Sequence, residues 1–146
     1  MTNHIERRVS QKAIARVKDP LPAPTVCPHC ASPVKLVNND VLYHGKSFGK
    51  WPYAYACTND SCGAYVGLHD YTLIPLGTLA NAATRKARMT AKAAFNRIWE
   101  RGHDMTRSEA YAWLARQLDI PPARCHIGMF DIAMCTLVKE LCEARA

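Results

Sequence analysis

CPHC (Cys27–Cys30) and CTNDSC (Cys57–Cys62) give this sequence two cysteine pairs, and their spacing sets the expectation for the fold. The first pair encloses two residues, the second encloses four, and 26 residues separate the pairs. Zinc takes four such ligands in a tetrahedron, usually with two to four residues inside each pair. The intervening residues have room for a strand, a loop and a returning strand, as in a zinc ribbon. The spacing therefore predicts one structural zinc ion held by Cys27, Cys30, Cys57 and Cys62.

The residues beside the cysteines bear on this prediction. Gly63 suits a turn that needs a positive φ, whereas Ala31 holds the matching place after the first pair. His29 is expected to point away from the metal, and His44 and His69 are spare nitrogen ligands if one cysteine does not bind. The alternative is a set of reduced core cysteines. A closed four-thiolate site has no open position for water, so it would fold the ribbon and not catalyse.

Length and composition narrow the class of protein. The 146 residues fit one ordinary domain or two small ones. The sequence has no apolar run of the length a membrane helix needs, and its N-terminus lacks the apolar region of a secretory signal. Seven cysteines, an odd number, argue against a disulfide framework. A reducing, cytoplasmic location is the expectation, with no membrane partner and no small-molecule substrate.

The formal net charge of +7 is concentrated in two segments. Residues 1–19 carry a net +3 and residues 76–105 a net +4, while the rest of the chain is balanced. Separated basic segments suggest a directed surface for an anionic partner. Bound zinc would lower the total to about +5, because four thiolates outweigh the two positive charges of the ion.

Hydrophobic periodicity and turn signals predict an α+β chain of three parts. Residues 1–24 form a basic N-terminal arm and a Pro-rich linker, with a short helix over residues 4–18. Residues 25–75 form the small zinc ribbon, and residues 76–146 form a helical subdomain packed on it. Short alternating runs predict ribbon strands at residues 34–37, 41–43, 53–56 and 64–68.

About three helices are predicted in the C-terminal half. A long one covers residues 76–101, where one narrow apolar stripe recurs every three or four positions. The members of the stripe are Ala80, Ala83, Ala87, Ala91, Ala94 and Ile98. Thr106 and Glu109 have the spacing of a capping box and begin the second helix, and Asp131 can cap the third.

The remaining cysteines lie in this helical half. Cys135 and Cys142 are seven residues apart on an amphipathic helix, which predicts core packing. Cys125 and His126 could join Cys135 in a second metal site, but three scattered ligands leave that hypothesis open.

Two basic surfaces are candidates for binding nucleic acid. On the long helix, about 100° per residue places Arg85, Arg88 and Lys92 on one flank, where they could follow phosphates. The ribbon loop of residues 44–53 interleaves cations with aromatic rings, a combination that suits single strands or exposed bases. Its candidate contacts are Lys46, Lys50 and Trp51. The alternatives are a solvated helix face and aromatic side chains that anchor the ribbon onto the helices.

Five motifs in order carry a resemblance to a known family: CPHCASPVKLV, CGAYVGLH, PLGTLAN, SEAYAWLARQLDI and CHIGMFD. Together they resemble the small zinc-finger-containing domain family of unknown function found in phages and prophage-bearing bacteria. The resemblance covers roughly residues 25–142. It implies zinc at the same four cysteines and a phage-related role, and it carries no established activity. The four-residue spacer of the second pair departs from the two residues usual in that family.

These observations favour a non-enzymatic zinc protein that binds DNA or RNA through the arm, the ribbon loop and the basic helix. The alternative is a protein-binding phage effector that inhibits or modulates a host enzyme or defence complex. An enzyme such as a nuclease is disfavoured, because its candidate groups match no catalytic spacing. Those groups are His69, Asp70, His103, Asp104 and His126.

Overall fold

The structure of the protein is a computed structural model that describes residues 5–100 and 105–145. The chain folds as two compact units that divide between Asn81 and Ala82. Across the described ranges, no helix has both the length and the apolar character required to span a membrane. Residues 4 and 101, at the ends of two predicted helices, and the pair His103-Asp104 lie outside the described residues.

The N-terminal unit is built on a three-stranded antiparallel sheet in the order β1-β2-β3. The strands are β1 (Val34–Asn38), β2 (Tyr53–Cys57) and β3 (Tyr65–Gly67). Val34 lies opposite Cys57, so the start of β1 is aligned with the end of β2. This register brings the residues that precede β1 beside those that follow β2, which is where the two cysteine pairs occur.

The predicted strand at residues 41–43 is wrong. A 3-10 turn occupies Asn39–Val41, and the chain continues turning to Gly45. The cause is local side-chain capping: the Asn38 side chain accepts a hydrogen bond from the Asp40 N–H at 3.0 Å. Asparagine competes in this way with the ladder of a sheet, so the apolar alternation that follows does not extend β1.

The core of this unit lies between the sheet and the segments that flank it. Its buried residues include Trp51, Tyr55, Leu68 and Leu79. The arm contributes as well, because Ile5 and Val9 pack against this core and the Ser10 N–H donates to the Tyr71 carbonyl at 2.8 Å. The basic N-terminal segment is thereby attached to the ribbon rather than separated from it by the proline-rich linker.

The prediction of one helix over residues 4–18 is wrong, because the helical backbone is interrupted: Ile5 and Glu6 are helical, and the helix α1 covers Gln11–Arg16. Ser10 is its N-cap, with an extended backbone and a side chain that accepts from the Ala13 N–H at 3.3 Å. Because the backbone of Ser10 is bonded to the ribbon, the helix cannot continue through it toward the N-terminus.

The C-terminal unit contains three α-helices in its described residues, as predicted. They are α2 (Ala82–Asn96), α3 (Arg107–Leu118) and α4 (Ile132–Arg145). Two short 3-10 turns, Pro122–Arg124 and Ile127–Met129, connect α3 to α4. The predicted sheet followed by helices is therefore confirmed, and the fold is α+β.

The predicted caps of α3 and α4 are present. Thr106 and Glu109 form the reciprocal capping box at the start of α3. The Asp131 carboxylate accepts from the Met134 N–H at 2.8 Å at the start of α4. Each cap satisfies backbone donors that the first turn of a helix leaves unpaired.

The helix α2 begins six residues later than the prediction of residues 76–101. Ala80 forms an antiparallel bridge with Tyr65, and both of its backbone hydrogen bonds, at 3.0 and 3.2 Å, are made to that residue. An extended Ala80 cannot be helical, so it leaves the predicted stripe, and Ala83 is exposed. The buried residues of α2 are Thr84, Ala91, Ala94 and Phe95.

The core of the C-terminal unit is made by side chains from all three helices. Phe95, Leu114 and Val138 are fully buried, one from each helix. Cys135 and Cys142 are buried in the same cluster, which confirms their predicted packing role. This unit has a hydrophobic core of its own.

Candidate metal centre

The first cysteine pair forms a tight turn ahead of β1. The Ala31 N–H donates to the Cys27 carbonyl and the Cys27 N–H donates to the Ser32 carbonyl, both at 2.9 Å. Ala31 has a φ of 63°, in the left-handed region that the corresponding glycine would favour. This closed turn aims the sulfurs of Cys27 and Cys30 to the same side.

The second pair reaches the same arrangement through a wider turn organised by Asn59. Its side-chain oxygen accepts from the Ser61 N–H at 3.0 Å, and its carbonyl accepts from the Cys62 N–H at the same distance. The Asn59 N–H donates to the Cys57 sulfur at 3.4 Å. Gly63 follows with a φ of 66°. The two additional residues are absorbed by this asparagine turn, so the longer spacer does not prevent a shared site.

The four sulfurs come together as one cluster. All lie within 4.8 Å of one another, with Cys27 3.7 Å from Cys62 and Cys30 3.4 Å from Cys57. A tetrahedron with zinc–sulfur bonds of about 2.3 Å places its sulfurs about 3.8 Å apart. These separations fit one zinc ion, and they are too long for disulfides. The donor set is four cysteine sulfurs, the soft ligands that select zinc in a closed structural site.

The thiols of Cys30 and Cys57 differ in acidity. Hydrogen bonds from the side chain and the backbone of Ser32 lower the pKa of Cys30 to about 6. Burial raises the pKa of Cys57 to about 12. Zinc is ligated by thiolates, so loading the site must displace the protons that such thiols retain.

Comparison with known proteins agrees with this geometry. Residues 23–144 match the profile of a family described as a zinc-finger-containing domain. The chain belongs to this family. It has no significant match among curated proteins or among solved structures. The family and the cysteine cluster together confirm the prediction of one zinc ion, and the match extends through the helical unit of this zinc-finger-containing domain.

His29 has a role that the sequence did not reveal. Its Nε2 lies 3.0 Å from the carbonyl oxygen of Leu79, and its Nδ1 lies 3.4 Å from Nδ2 of Asn81. A carbonyl only accepts and an amide nitrogen only donates, so the neutral ring with its proton on Nε2 satisfies both contacts. His29 therefore ties the first cysteine turn to the last residues of the N-terminal unit, 50 positions along the chain. A signal for this contact is absent from the local sequence, because it depends on the tertiary fold.

The structure places two of the ribbon-loop candidates at the surface and buries the third. Lys46 and Lys50 are exposed. Trp51 is only 4% exposed, and its indole N–H donates to the carbonyl of Thr72 at 2.9 Å. The prediction that Trp51 contacts nucleic acid is therefore wrong, because the packed ring has no accessible face for a base. It anchors the ribbon loop onto the core of its own unit.

The candidate nucleic-acid-binding residues on α2 also differ in how exposed they are. Lys92 is exposed and Arg85 is half-buried. The Arg88 side chain instead turns inward, where its Nε–H donates to the Phe130 carbonyl at 2.9 Å. Burial lowers the pKa of this guanidinium. This hydrogen bond holds the loop ahead of α4, and the assignment of Arg88 to a phosphate track stays a prediction.

The hypothesis of a second metal site finds no support. Within the described ranges, the cluster of four cysteines is the one group of three or more metal-ligand side chains that lie close together. Cys125 directs its thiol to the Tyr111 carbonyl at 3.8 Å, and Cys135 directs its thiol to the Phe130 carbonyl at 3.9 Å. Both are buried. They behave as the small apolar core residues that reduced cysteines often are.

The candidate catalytic groups lie in different parts of the chain. His69 is half-buried in a turn, where burial lowers its pKa, and its N–H donates to the Ile74 carbonyl at 2.9 Å. Asp70 forms a surface ion pair with Lys50 at 3.5 Å. His126 belongs to the other compact unit.

Proposed function

We propose that this protein is a non-enzymatic zinc protein of phage or prophage type that binds DNA or RNA in the cytosol. The zinc ion holds the ribbon together as a structural element. The binding surface is basic and lies on α2, with the ribbon loop as a second contact.

The charge of α2 carries this proposal. Its 15 residues contain four basic side chains and no acidic one. On the outer face, exposed Met89 lies among Arg85, Lys86 and Lys92, opposite the buried stripe. Arg88 lies three residues after Arg85 and four before Lys92, and like charges at these spacings weaken a helix. A polyanion would complement the positive charge of the exposed side chains Lys86 and Lys92.

The chemistry of the metal centre supports a binding role. Four cysteine ligands complete the zinc shell and leave no position at which substrate or water could be activated. Zinc therefore contributes folding free energy to the ribbon and not a reactive group.

Lysine variants on α2 test the proposal with the full zinc-loaded chain. Lys86→Ala and Lys92→Ala should each weaken binding to labelled DNA or RNA at low salt and flatten the salt dependence. Each phosphate contact contributes about 0.7–0.9 to the slope of log K against log salt. Lys139→Ala is the matched control, because it removes the same charge from α4, where Lys139 pairs with Glu143. It should leave binding close to that of the parent protein.

Fluorescence anisotropy at several salt concentrations measures these effects. Affinity that stays flat from low to physiological salt would contradict the proposal. An equal loss in the Lys139→Ala variant would show a general effect of net charge instead of a surface on α2.

Exposed apolar side chains favour one second candidate, a protein-binding effector that modulates a host enzyme or defence complex. In the C-terminal unit, Met89 is 73% exposed, Ile132 45% and Leu137 41%. Apolar side chains of this size are typical of protein interfaces when they form a patch. Co-purification of one protein that survives nuclease treatment and is lost in Met89→Asp distinguishes this role from the first.

A further inference from the structure

Phe48 is an exposed aromatic residue on an ordered loop. The residue is 56% exposed. Its backbone is fixed at both polar groups: the N–H donates to Oδ1 of Asn39 at 3.0 Å, and the carbonyl accepts from Nδ2 of Asn39 at 2.9 Å. Ser47 adds a hydrogen bond from its hydroxyl to Oδ1 of Asn38 at 2.8 Å. These contacts hold the main chain in place while the ring remains in solvent.

The packing of the loop does not account for this exposed ring. Trp51 already anchors the loop, since its indole is buried and lies 5.1 Å from the ring of Tyr71. Phe48 contacts Tyr43 edge to face, with ring centroids 5.1 Å apart, and Tyr43 is itself exposed. An aromatic pair at the surface leaves apolar area in water that folding would otherwise remove.

Exposed cations and glycines flank Phe48 in the sequence. Lys46 and Lys50 lie two residues to either side of Phe48, and both are exposed. The ion pair of Lys50 with Asp70 joins side chains that are 69% and 54% exposed, so water and salt weaken it and a phosphate can replace it. Gly45 and Gly49 have positive φ values, and a Cβ at either position would meet no atom within 4 Å. The loop is therefore open to solvent at the two glycines that lie on either side of Phe48 in the sequence.

We propose that the ribbon loop, together with the preceding Tyr43, binds an unpaired base of a single-stranded nucleic acid by stacking on Phe48. Lys46 and Lys50 neutralise the adjacent phosphates. Bases stack on aromatic rings whatever their identity, and nearby cations follow the backbone, so the site tolerates different sequences. A paired base is already stacked within its duplex, which makes the loop selective for single strands. This inference rests on the proposed function and adds the form of nucleic acid that the N-terminal unit takes.

Binding of labelled oligonucleotides to the full zinc-loaded chain tests the proposal. The probes are oligo(dT), oligo(rU) and a DNA duplex, each of about 20 nucleotides, long enough for such a site. Phe48→Ala should weaken single-strand binding by about 10-fold, and Phe48→Trp should retain it, because stacking needs an aromatic face. Phe48→Leu keeps an apolar side chain without that face and should lose as much as Phe48→Ala. Val41→Ala is the control, since Val41 is 67% exposed nearby in sequence but not aromatic.

Each outcome addresses one of the two proposals. Single-strand binding that Phe48→Leu leaves unchanged would overturn stacking, as would equal affinity of the parent protein for the duplex and both single strands. Losses in Lys86→Ala and Lys92→Ala without an effect at Phe48 would leave the proposed function in place and reject only this inference. Absence of binding to all three probes would reject the proposed function. Zinc content and thermal melting of each variant verify that the ribbon is folded.

Discussion

At the scale of single residues, the two cysteine turns differ in how well their sequence suits their backbone. Both place the residue after the second cysteine in the left-handed region, with φ of 63° at Ala31 and 66° at Gly63. An L-residue with a Cβ is disfavoured there by about 1–2 kcal/mol, while glycine is not. The first turn therefore contains backbone strain that the second avoids.

Exchanging these residues should have opposite effects on stability. Ala31→Gly should raise the free energy of unfolding by about 1 kcal/mol, and Gly63→Ala should lower it by a similar amount. A Cβ at Gly63 meets no atom within 4 Å, so backbone strain is the whole of the expected cost. Denaturant unfolding of the zinc-loaded variants measures both changes. Shifts of the same sign would show that the conformation of these residues does not limit stability.

At the scale of elements, the capping box of α3 makes its stability dependent on pH. Two hydrogen bonds with Thr106 lower the pKa of Glu109 below its ordinary value of 4.5. The bond with the Thr106 backbone has the larger effect and the bond with its side chain the smaller. Because the folded-state pKa is lowered, the charged carboxylate stabilises the helix at pH values above the ordinary pKa. This contribution disappears as the pH falls through the folded-state pKa.

Two variants distinguish the contribution of the Thr106 hydroxyl from that of the Glu109 charge. Thr106→Ala removes the N-cap hydroxyl and should cost about 1 kcal/mol at neutral pH. Glu109→Gln keeps a hydrogen-bond acceptor without the charge, so it should melt below the parent protein at pH 7 and with it at pH values below the folded-state pKa. Melting curves followed by circular dichroism across this pH range provide the test. A difference that persists unchanged in acid would contradict the assignment to the Glu109 carboxylate.

At the scale of the whole molecule, the two compact units depend on different sources of stability. In the N-terminal unit, the cysteine cluster joins the two turns that flank the sheet. Zinc binding by this cluster is coupled to folding of the unit. The C-terminal unit has a buried core that includes Phe95, Leu114 and Val138. Removal of zinc should therefore open the first unit and leave the helices of the second.

Alkylation after chelation tests this difference by mass spectrometry. With zinc bound, the four ligand cysteines should be protected from iodoacetamide, and a chelator should expose them. Cys125 and Cys142 should stay unmodified, because they are buried and burial raises the pKa of each thiol to about 11. Helical ellipticity should largely persist. Modification of Cys142 as fast as that of Cys57, with loss of ellipticity, would show that the units unfold together.

Much of this fold could be predicted because its signals are local. The spacing of Cys27–Cys30 and Cys57–Cys62 predicted the metal site, and the capping box and periodicity predicted α3 and α4. Predictions failed where a side chain or backbone group found a distant partner. Ser10 bonds to Tyr71, and Ala80 bonds to Tyr65, so two helices are shorter than their patterns suggest.

By itself, the sequence determined the four zinc ligands, the order of sheet and helices, and the net basic charge of α2. These depend on residue type and spacing, which the chain carries in any conformation. The tertiary structure alone decided that Trp51 is buried while Phe48 is exposed, and that Arg88 turns inward while Lys92 faces solvent. In the sequence, the two aromatic residues Trp51 and Phe48 cannot be distinguished by local pattern, and the same holds for the two cations Arg88 and Lys92. Only the partners brought near them by folding, here Thr72 and Phe130, determine which of them are left for a ligand.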